Sequence, residues 1–227
     1  MAPKLIACRA VASHLRPFLP PDLATEILEM HLHLRPARLR ARIQQLVDAA
    51  DGLFDPIFLG YGACSGAIVG IAARASRLVA PKSHDCIELF LGSRAARLAQ
   101  LEREPGTYFA THDELSGGFA GLFPEFDGLA ARFGGTRAEE LIRAMLRSYR
   151  LLAYIRMPGA PDPARDREAL REIAARLSLE PRELEGATEW LEGLIAREWD
   201  DRFVVLEPGS AFEHHHFTSP PDTPEVQ

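Results

Sequence analysis

Short apolar runs alternate with amphipathic segments along most of the chain, and this alternation most restricts how it can fold. Each run has three to five residues, the length of strands that are buried on both faces of a sheet. Apolar residues between the runs recur at helical spacing. The pattern predicts an α/β protein with a mainly parallel sheet or sheets, helices on both faces and a Rossmann-like arrangement. The runs are residues 5–8, 57–59, 78–80, Thr107–Ala110, 151–155 and Phe203–Leu206.

The glycine-rich passage that ends at Gly134 and Gly135 predicts a division into two lobes. We predict a first α/β lobe over residues 1–134 and a smaller second lobe over residues 135–209, and the two could be similar in build. Residues 210–227 are rich in proline, threonine and serine, which predicts a disordered tail.

Several helices are predicted from their caps and spacing. Asp22 can cap residues 23–30, and Thr136 with Glu139 has the spacing of a capping box. Asp85 with Glu88 has the same spacing and predicts one long helix that continues to residue 101, while residues 68–73 predict a short helix.

Composition excludes several classes of function. The net charge is −6 and basic residues are scattered among acidic ones, so the chain lacks the basic patch of a nucleic-acid-binding protein. Apolar runs are too short to span a bilayer, and no signal peptide precedes the first run, so we expect a cytoplasmic protein. Three cysteines, an odd number, favour metal binding, thiolate chemistry or burial over a disulfide framework.

Each cysteine lies at or beyond the end of a predicted strand. Cys8 ends the first apolar run, and Cys64 and Cys86 come after the second and third. In an open parallel sheet the ligand crevice lies beyond the carboxyl ends of the strands. Burial explains any one of these cysteines taken singly, but the repeated placement predicts that the three sulfur atoms converge. Helix N-termini also favour the thiolate that binds metals, and Cys86 has this setting most clearly.

Two histidines could complete a metal site with these cysteines. Three thiolates with one open position suit a [4Fe–4S] cluster, whereas three thiolates with His84 or His33 suit tetrahedral zinc. Asp85 can orient the ring of His84, although helix capping also explains it. A further alternative is a nucleophilic Cys64 or Cys86 with His84 as its base. The sequence leaves these alternatives open.

The segment Gly60, Tyr61 and Gly62 is glycine-rich but has neither the dinucleotide-binding spacing nor the lysine of a P-loop. We predict that it brings the backbone close to a ligand at the crevice; a tight turn without a ligand is the alternative. The histidines at residues 214–216 lie beside the predicted tail, where a solvated segment is the simpler interpretation.

These motifs together resemble the prokaryotic family called domain of unknown function 1638 (DUF1638). The resemblance is carried by residues 5–8, 32–36, 59–64, 84–87 and 105–109. It implies that Cys8, His33, Cys64, His84 and Cys86 form one constellation, and it adds Tyr108 as a crevice residue. The chain departs from the family pattern at Arg156, where an acidic residue is expected, and at residues 112–114, where an aromatic residue is expected. Family members often lie near genes for corrinoid-dependent methyltransferases.

Our first functional hypothesis is a cytoplasmic metalloprotein that binds an iron–sulfur cluster or zinc and acts in corrinoid-linked one-carbon or methyl metabolism. It leaves open whether the protein is an enzyme; a metal-dependent methyl-transfer or redox enzyme is one form. The second hypothesis is a non-enzymatic protein that binds or delivers a metal, a corrinoid or a small ligand to a methyltransferase or corrinoid protein. The third is a structural partner protein with inert, buried cysteines.

Overall fold

The computed structural model describes residues 1–217, without the side chains of His31 and Leu34, and divides the chain into two units. The first unit contains Met1–Ala95 and the described part of Thr188–Gln227, and the second is Ala96–Ala187. These bounds differ from the predicted boundary at residues 134 and 135. Apolar runs show where strands lie but not which sheet each strand joins, so the sequence did not reveal that the chain returns to its first unit.

Within residues 1–217, eight strands form two sheets. The first unit has a five-stranded sheet in the order β2-β1-β3-β4-β8, in which the first four strands are parallel and β8 is antiparallel to β4. The second unit has the parallel sheet β5-β6-β7. The prediction of a mainly parallel, Rossmann-like α/β fold is therefore confirmed. The strands are β1 (Lys4–Cys8), β2 (Ala24–Leu28), β3 (Ile57–Gly60), β4 (Leu78–Pro81), β5 (Thr107–Ala110), β6 (Leu151–Arg156), β7 (Glu180–Glu185) and β8 (Phe203–Leu206).

Helices cover these sheets. Every residue of β3 and β4 is buried, as expected for central strands with both faces covered. No helix among the described residues is both long and apolar enough to cross a membrane. The helices are α1 (Arg9–Leu15), α2 (Pro36–Ala50), α3 (Cys86–Phe90), α4 (Arg94–Arg103), α5 (His112–Ser116), α6 (Gly118–Leu122), α7 (Phe126–Phe133), α8 (Gly135–Met145), α9 (Pro163–Leu177) and α10 (Glu189–Ala196).

Three local predictions in the first unit are wrong. The segment after Asp22 is the edge strand β2. Most of its residues are at least partly exposed, and it lacks the continuous apolar run of a central strand. Residues 68–73 form a turn and an isolated β-bridge at Ala72, because Gly70 has a positive φ and the backbone there bonds to residues 210 and 212. The long helix after Asp85 is divided into α3 and α4, with Gly92 at φ 78° between them.

The predicted disordered tail is wrong for residues 210–217. Ala211 forms a β-bridge with Ala72, and Phe212 and Phe217 are buried. Burial of these two rings stabilises the ordered segment. The sequence did not indicate this order, because the proline and threonine residues nearby are typical of a disordered tail. Residues 218–227 lie outside the described part of the chain.

The glycine-rich passage of the second unit contains two helices, α6 and α7. Gly134 precedes α8, and the side chain of Thr136 does not cap it. The capping box is instead at the start of α5, where the backbone nitrogen and hydroxyl of Thr111 donate to Glu114 at 2.7 and 2.6 Å.

Candidate functional site

The strand order of the first unit places a topological switch point between β1 and β3. From β1 the chain goes to β2 on one side, and then crosses to β3 and β4 on the other. Crevices that bind ligands in open α/β sheets lie at the carboxyl ends of the strands that flank such a point. Ala7 pairs with Gly60, so Cys8 and the segment that begins at Tyr61 leave the sheet side by side. The structure thus brings two of the predicted site segments together.

The segment after β3 also runs beside the segment after β4. The backbone nitrogen of Ala63 donates to the carbonyl oxygen of Ser83 at 2.8 Å, and that of Cys64 donates to the carbonyl oxygen of His84 at 3.0 Å. Cys64 therefore lies next to the segment that leads into Cys86, the first residue of α3. The three strand ends that carry the cysteines are neighbours, and the convergence of the three sulfur atoms stays a prediction.

Gly60 and Gly62 are required by close packing within the protein. A Cβ atom on Gly60 would lie 2.6 Å from Cβ of Ala7, and one on Gly62 would lie 2.6 Å from Oγ and 2.9 Å from the carbonyl oxygen of Ser83. Their closest neighbours on that side are protein atoms. The use of these glycines to approach a ligand stays a prediction.

The backbone is strained where the cysteine segment turns. Cys64 and Ser65 have φ angles of 47° and 57°, in the left-handed region that residues other than glycine seldom adopt. Each such residue costs about 1 kcal/mol or more, and strain of this kind concentrates at functional sites. The surrounding structure holds Cys64 in this conformation through its backbone bond to His84.

The groups at the switch point influence one another electrostatically. Burial raises the pKa of the Cys64 thiol far above its ordinary value, and the nearby charges of Cys8 and Asp85 raise it further. Burial also raises the pKa of Tyr61, with smaller contributions from Cys8 and Cys64. The two sulfur atoms and the tyrosine hydroxyl thus lie within electrostatic range of one another, in a site whose burial favours the protonated forms of Cys64 and Tyr61.

Two buried hydroxyl groups in this region have no hydrogen-bond partner among the described residues. They are the hydroxyl of Tyr61 and Oγ of Ser83, and both residues are 0% exposed. A buried polar group without a partner costs about 1–3 kcal/mol. Such groups are rare, and a ligand that accepts their hydrogen bonds would remove this cost.

His33 has the form that a metal ligand needs. Its Nδ1 lies 3.0 Å from the carbonyl oxygen of Met30; because a carbonyl only accepts, Nδ1 carries the proton and Nε2 keeps its lone pair. Burial lowers the pKa of this histidine, against a smaller opposing effect of the Met30 bond, so the ring is neutral near pH 7. Its ring centre lies 6.1 Å from that of Tyr61.

His84 points away from this arrangement into solvent. Its side chain is 57% exposed, and Nδ1 lies 3.3 Å from a carboxylate oxygen of Asp85. Asp85 caps α3, as predicted, by accepting hydrogen bonds from the backbone nitrogens of Ile87 and Glu88 at 3.1 and 3.2 Å. Glu88 completes the N-terminus by accepting from the backbone nitrogen of His84 at 2.7 Å.

The predicted metal site is not assembled as a complete ligand set. Within residues 1–217, no group of three or more histidine, cysteine, aspartate or glutamate side chains is arranged to hold a metal ion. Cys8 and Cys64 come together, and Cys86 begins the neighbouring helix. Metal binding by all three thiols stays a prediction.

Tyr108 belongs to the second unit, whereas the cysteines belong to the first. It lies on β5 and lines a cavity with two other aromatic residues, Phe123 and Tyr149. Arg156, which replaces the expected acidic residue, donates to Glu183 at 2.7 Å and Glu185 at 2.9 Å. An acidic residue at this position would repel these two glutamates on β7, whereas the arginine forms ion pairs with them.

A polar cluster in the second unit was missed by sequence reasoning. Nδ1 of His112, the first residue of α5, lies 2.9 and 3.0 Å from the carboxylate oxygens of Asp166, and the hydroxyl of Tyr154 donates to the same carboxylate at 2.7 Å. The Asp166 side chain is 0% exposed and that of His112 is 22% exposed. A buried carboxylate that orients a partly exposed imidazole is an arrangement used in acid–base catalysis. The two partners are separated by 54 positions in the sequence, so the pair leaves no local sequence signal.

The raised pKa of Cys64 gives a direct prediction for the metal-free protein. In a variant with Cys8 and Cys86 replaced by serine, iodoacetamide should alkylate Cys64 at pH 8 about tenfold or more slowly than in the same protein unfolded in urea. The reason is that the unfolded thiol is partly ionised at this pH and the folded thiol is not. Mass spectrometry of the modified protein measures both rates, and equal rates would show that burial does not suppress the thiolate.

Comparison with known proteins gives one match. The model of the family described as "Protein of unknown function (DUF1638)" matches residues 27–195, a range that includes Cys64, Cys86, His33 and Tyr61. No curated protein and no solved structure matches the chain.

Proposed function

This chain belongs to the DUF1638 family, and we propose that the switch point of its first unit binds a thiophilic metal centre. Cys8, Cys64 and Cys86 would supply the thiolates, and the centre would be zinc or an iron–sulfur cluster. The donor set suits such a centre, since thiolates select zinc and iron–sulfur clusters over harder cations.

The unpartnered hydroxyl of Tyr61 supports this proposal most strongly. It is buried without an acceptor beside two thiols that raise its pKa. A thiol is a weak acceptor, but a metal-bound thiolate accepts hydrogen bonds readily, and such bonds tune the metal centre. Because Tyr61 stays protonated, it remains a donor to a sulfur atom, and metal binding would satisfy it.

Other residues have roles that follow from their contacts. The neutral ring of His33 is a candidate for a fourth ligand through Nε2 because Met30 holds its Nδ1 proton. Asp85 fixes the start of α3, and thereby the backbone of Cys86. When bound, zinc would activate a thiol as its thiolate, and a cluster with an open iron would bind a substrate heteroatom or pass electrons.

We also propose a role in corrinoid-linked one-carbon metabolism, with a methyltransferase or corrinoid protein as partner. Only the family resemblance supports this part of the proposal. Catalytic turnover would distinguish an enzyme from a protein that binds and delivers the metal or a small ligand. Both alternatives use the same cysteine site.

Titration of the metal-free protein with Co²⁺ under anaerobic conditions tests the site. We expect a thiolate-to-cobalt charge-transfer band that saturates, and Cys8→Ser, Cys64→Ser and Cys86→Ser should each weaken or shift it. Replacing a ligand or an orienting partner typically costs about 10–100-fold in metal affinity. Because the ligands lose protons on binding, the affinity should also rise with pH.

Tyr61→Phe provides the second arm of this experiment. We expect it to keep the band but to weaken cobalt binding, because the hydrogen bond to the thiolate is lost. The matched control is Tyr149→Phe, which removes a tyrosine hydroxyl in the second unit. Circular dichroism of every variant separates loss of ligands from loss of fold. A band that is absent in the wild type, or unchanged in all three cysteine variants, would contradict the proposal.

A structural protein with inert cysteines is the second candidate, and burial favours it. Cys8 is only 2% exposed, and the pKa of Cys64 is raised. In this case neither Co²⁺ nor Zn²⁺ would change the thermal unfolding temperature. Under our proposal, a metal that binds only the folded protein should raise it.

A further inference from the structure

A cavity in the second unit combines aromatic rings with an unpaired carboxylate. It measures about 220 Å³ and is lined by Tyr108, Phe123, Glu125, Ile142, Met145, Leu146 and Tyr149. Pockets for drug-sized ligands have about 300–1,000 Å³, so this one suits a smaller molecule. Met145, which is 63% exposed, marks its opening to solvent.

The rings are held in place by contacts with one another. The centre of the Tyr108 ring lies 5.8 Å from that of Phe123 and 5.3 Å from that of Tyr149. The planes of the two tyrosine rings meet at 73°, edge to face. In such a pair, at least one ring face is not covered by the other ring. Ring faces carry negative charge density and attract cations.

The charges around the cavity are negative. Burial, followed by the charges of Glu114 and Glu125, raises the pKa of Tyr108 to about 12. Within the described chain, Glu125 has no ion-pair partner, and the lining contains no lysine, arginine or histidine. Helix α8 ends at Met145, so its partially negative C-terminus also lies at the lining.

The same aromatic cluster already accepts one cation. The guanidinium carbon of Arg176 lies 4.0 Å from the ring centre of Phe119, and Phe119 contacts Phe123 at a ring-centre distance of 5.1 Å. Arg176 is not part of the cavity lining. The cavity therefore offers a second cation position with rings and a carboxylate but no positive group of its own.

We infer that this cavity binds a small organic cation with a methylated ammonium group, which contacts the rings of Tyr108 and Tyr149 and pairs with Glu125. A methylated ammonium combines a positive charge with an apolar surface, and both are matched here. A metal ion would need more oxygen ligands than one carboxylate and the phenol groups supply. This inference is independent of the metal site of the first unit.

Choline and its uncharged analogue 3,3-dimethyl-1-butanol test the inference, because they have the same shape and differ in charge. We expect choline to give saturable chemical-shift changes at Tyr108, Tyr149 and Glu125 in NMR titrations of the full chain, and the alcohol to bind at least about fivefold more weakly. Equal binding of the two probes would show a merely apolar cavity. No saturable change with choline would also overturn the inference.

Variants separate the contributions of ring and charge. Glu125→Gln should weaken choline binding about threefold, the size expected for a solvent-exposed charge pair, and leave binding of the alcohol unchanged. Asp127→Asn removes an equal charge on α7 outside the lining and is the matched control. Tyr108→Leu should weaken choline binding about tenfold, while Tyr108→Phe keeps the ring and should bind like the wild type. If Tyr108→Leu does not fold, Glu125→Gln and its control Asp127→Asn still decide the outcome. A threefold loss of choline binding in Asp127→Asn, or no loss in Glu125→Gln, contradicts the inference.

Discussion

Replacing Asp166 by alanine is expected to lower the free energy of unfolding of the second unit by about 3 kcal/mol. The substitution leaves the buried hydroxyl of Tyr154 and Nδ1 of His112 without their shared acceptor, and each buried group that loses its partner costs about 1–3 kcal/mol. Urea denaturation monitored by circular dichroism measures the change.

Two further variants make this result specific. Asp166→Asn keeps one acceptor oxygen and should lose clearly less stability than Asp166→Ala. Glu168→Ala changes an exposed carboxylate on the same helix and should stay within about 0.5 kcal/mol of the wild type. A loss in Asp166→Ala no larger than in Glu168→Ala would mean that the cluster contributes nothing to the stability of the fold.

Replacing Gly62 by alanine is expected to destabilise the first unit by about 1–3 kcal/mol, the usual cost of an overpacked site. The new methyl group would lie within 2.9 Å of the carbonyl oxygen of Ser83 and 3.0 Å of Cα of Asp85, so the segments after β3 and β4 must move apart. This separates Cys64 from the start of α3, and cobalt binding should weaken at the same time.

The control for this variant is Gly128→Ala. Gly128 lies within α7 and has no atom within 4 Å of an added Cβ, so alanine there should be neutral or stabilise by up to about 1 kcal/mol. If Gly62→Ala behaves like Gly128→Ala in both stability and cobalt binding, the close approach of the two segments is unimportant for the site.

The sequence predicted the framework of the site because its signals are local. The apolar runs that became β1, β3 and β4 place Cys8, Cys64 and Cys86 at or after the ends of their strands, and in the structure these strand ends are neighbours. The helix cap at Asp85 was also predicted from its spacing to Glu88 and is present.

What the sequence could not show depends on partners far along the chain. His112 and Asp166 are brought together only by the packing of α5 against α9. The edge strand β2 is held by its pairing with β1, and residues 210–217 are ordered by the burial of Phe212 and Phe217. The division into units likewise depends on which sheet each strand joins, and no pattern within a strand contains that information.

The metal content of the protein, purified anaerobically from cells grown with iron and zinc, tests the central claim most directly. Iron, zinc, cobalt and acid-labile sulfide would be quantified per chain and the visible spectrum recorded. We predict either stoichiometric zinc in a colourless protein or iron with sulfide in a brown one, and a loss of that metal in Cys64→Ser. A wild-type protein that contains neither metal, and that takes up neither on reconstitution, would contradict the account.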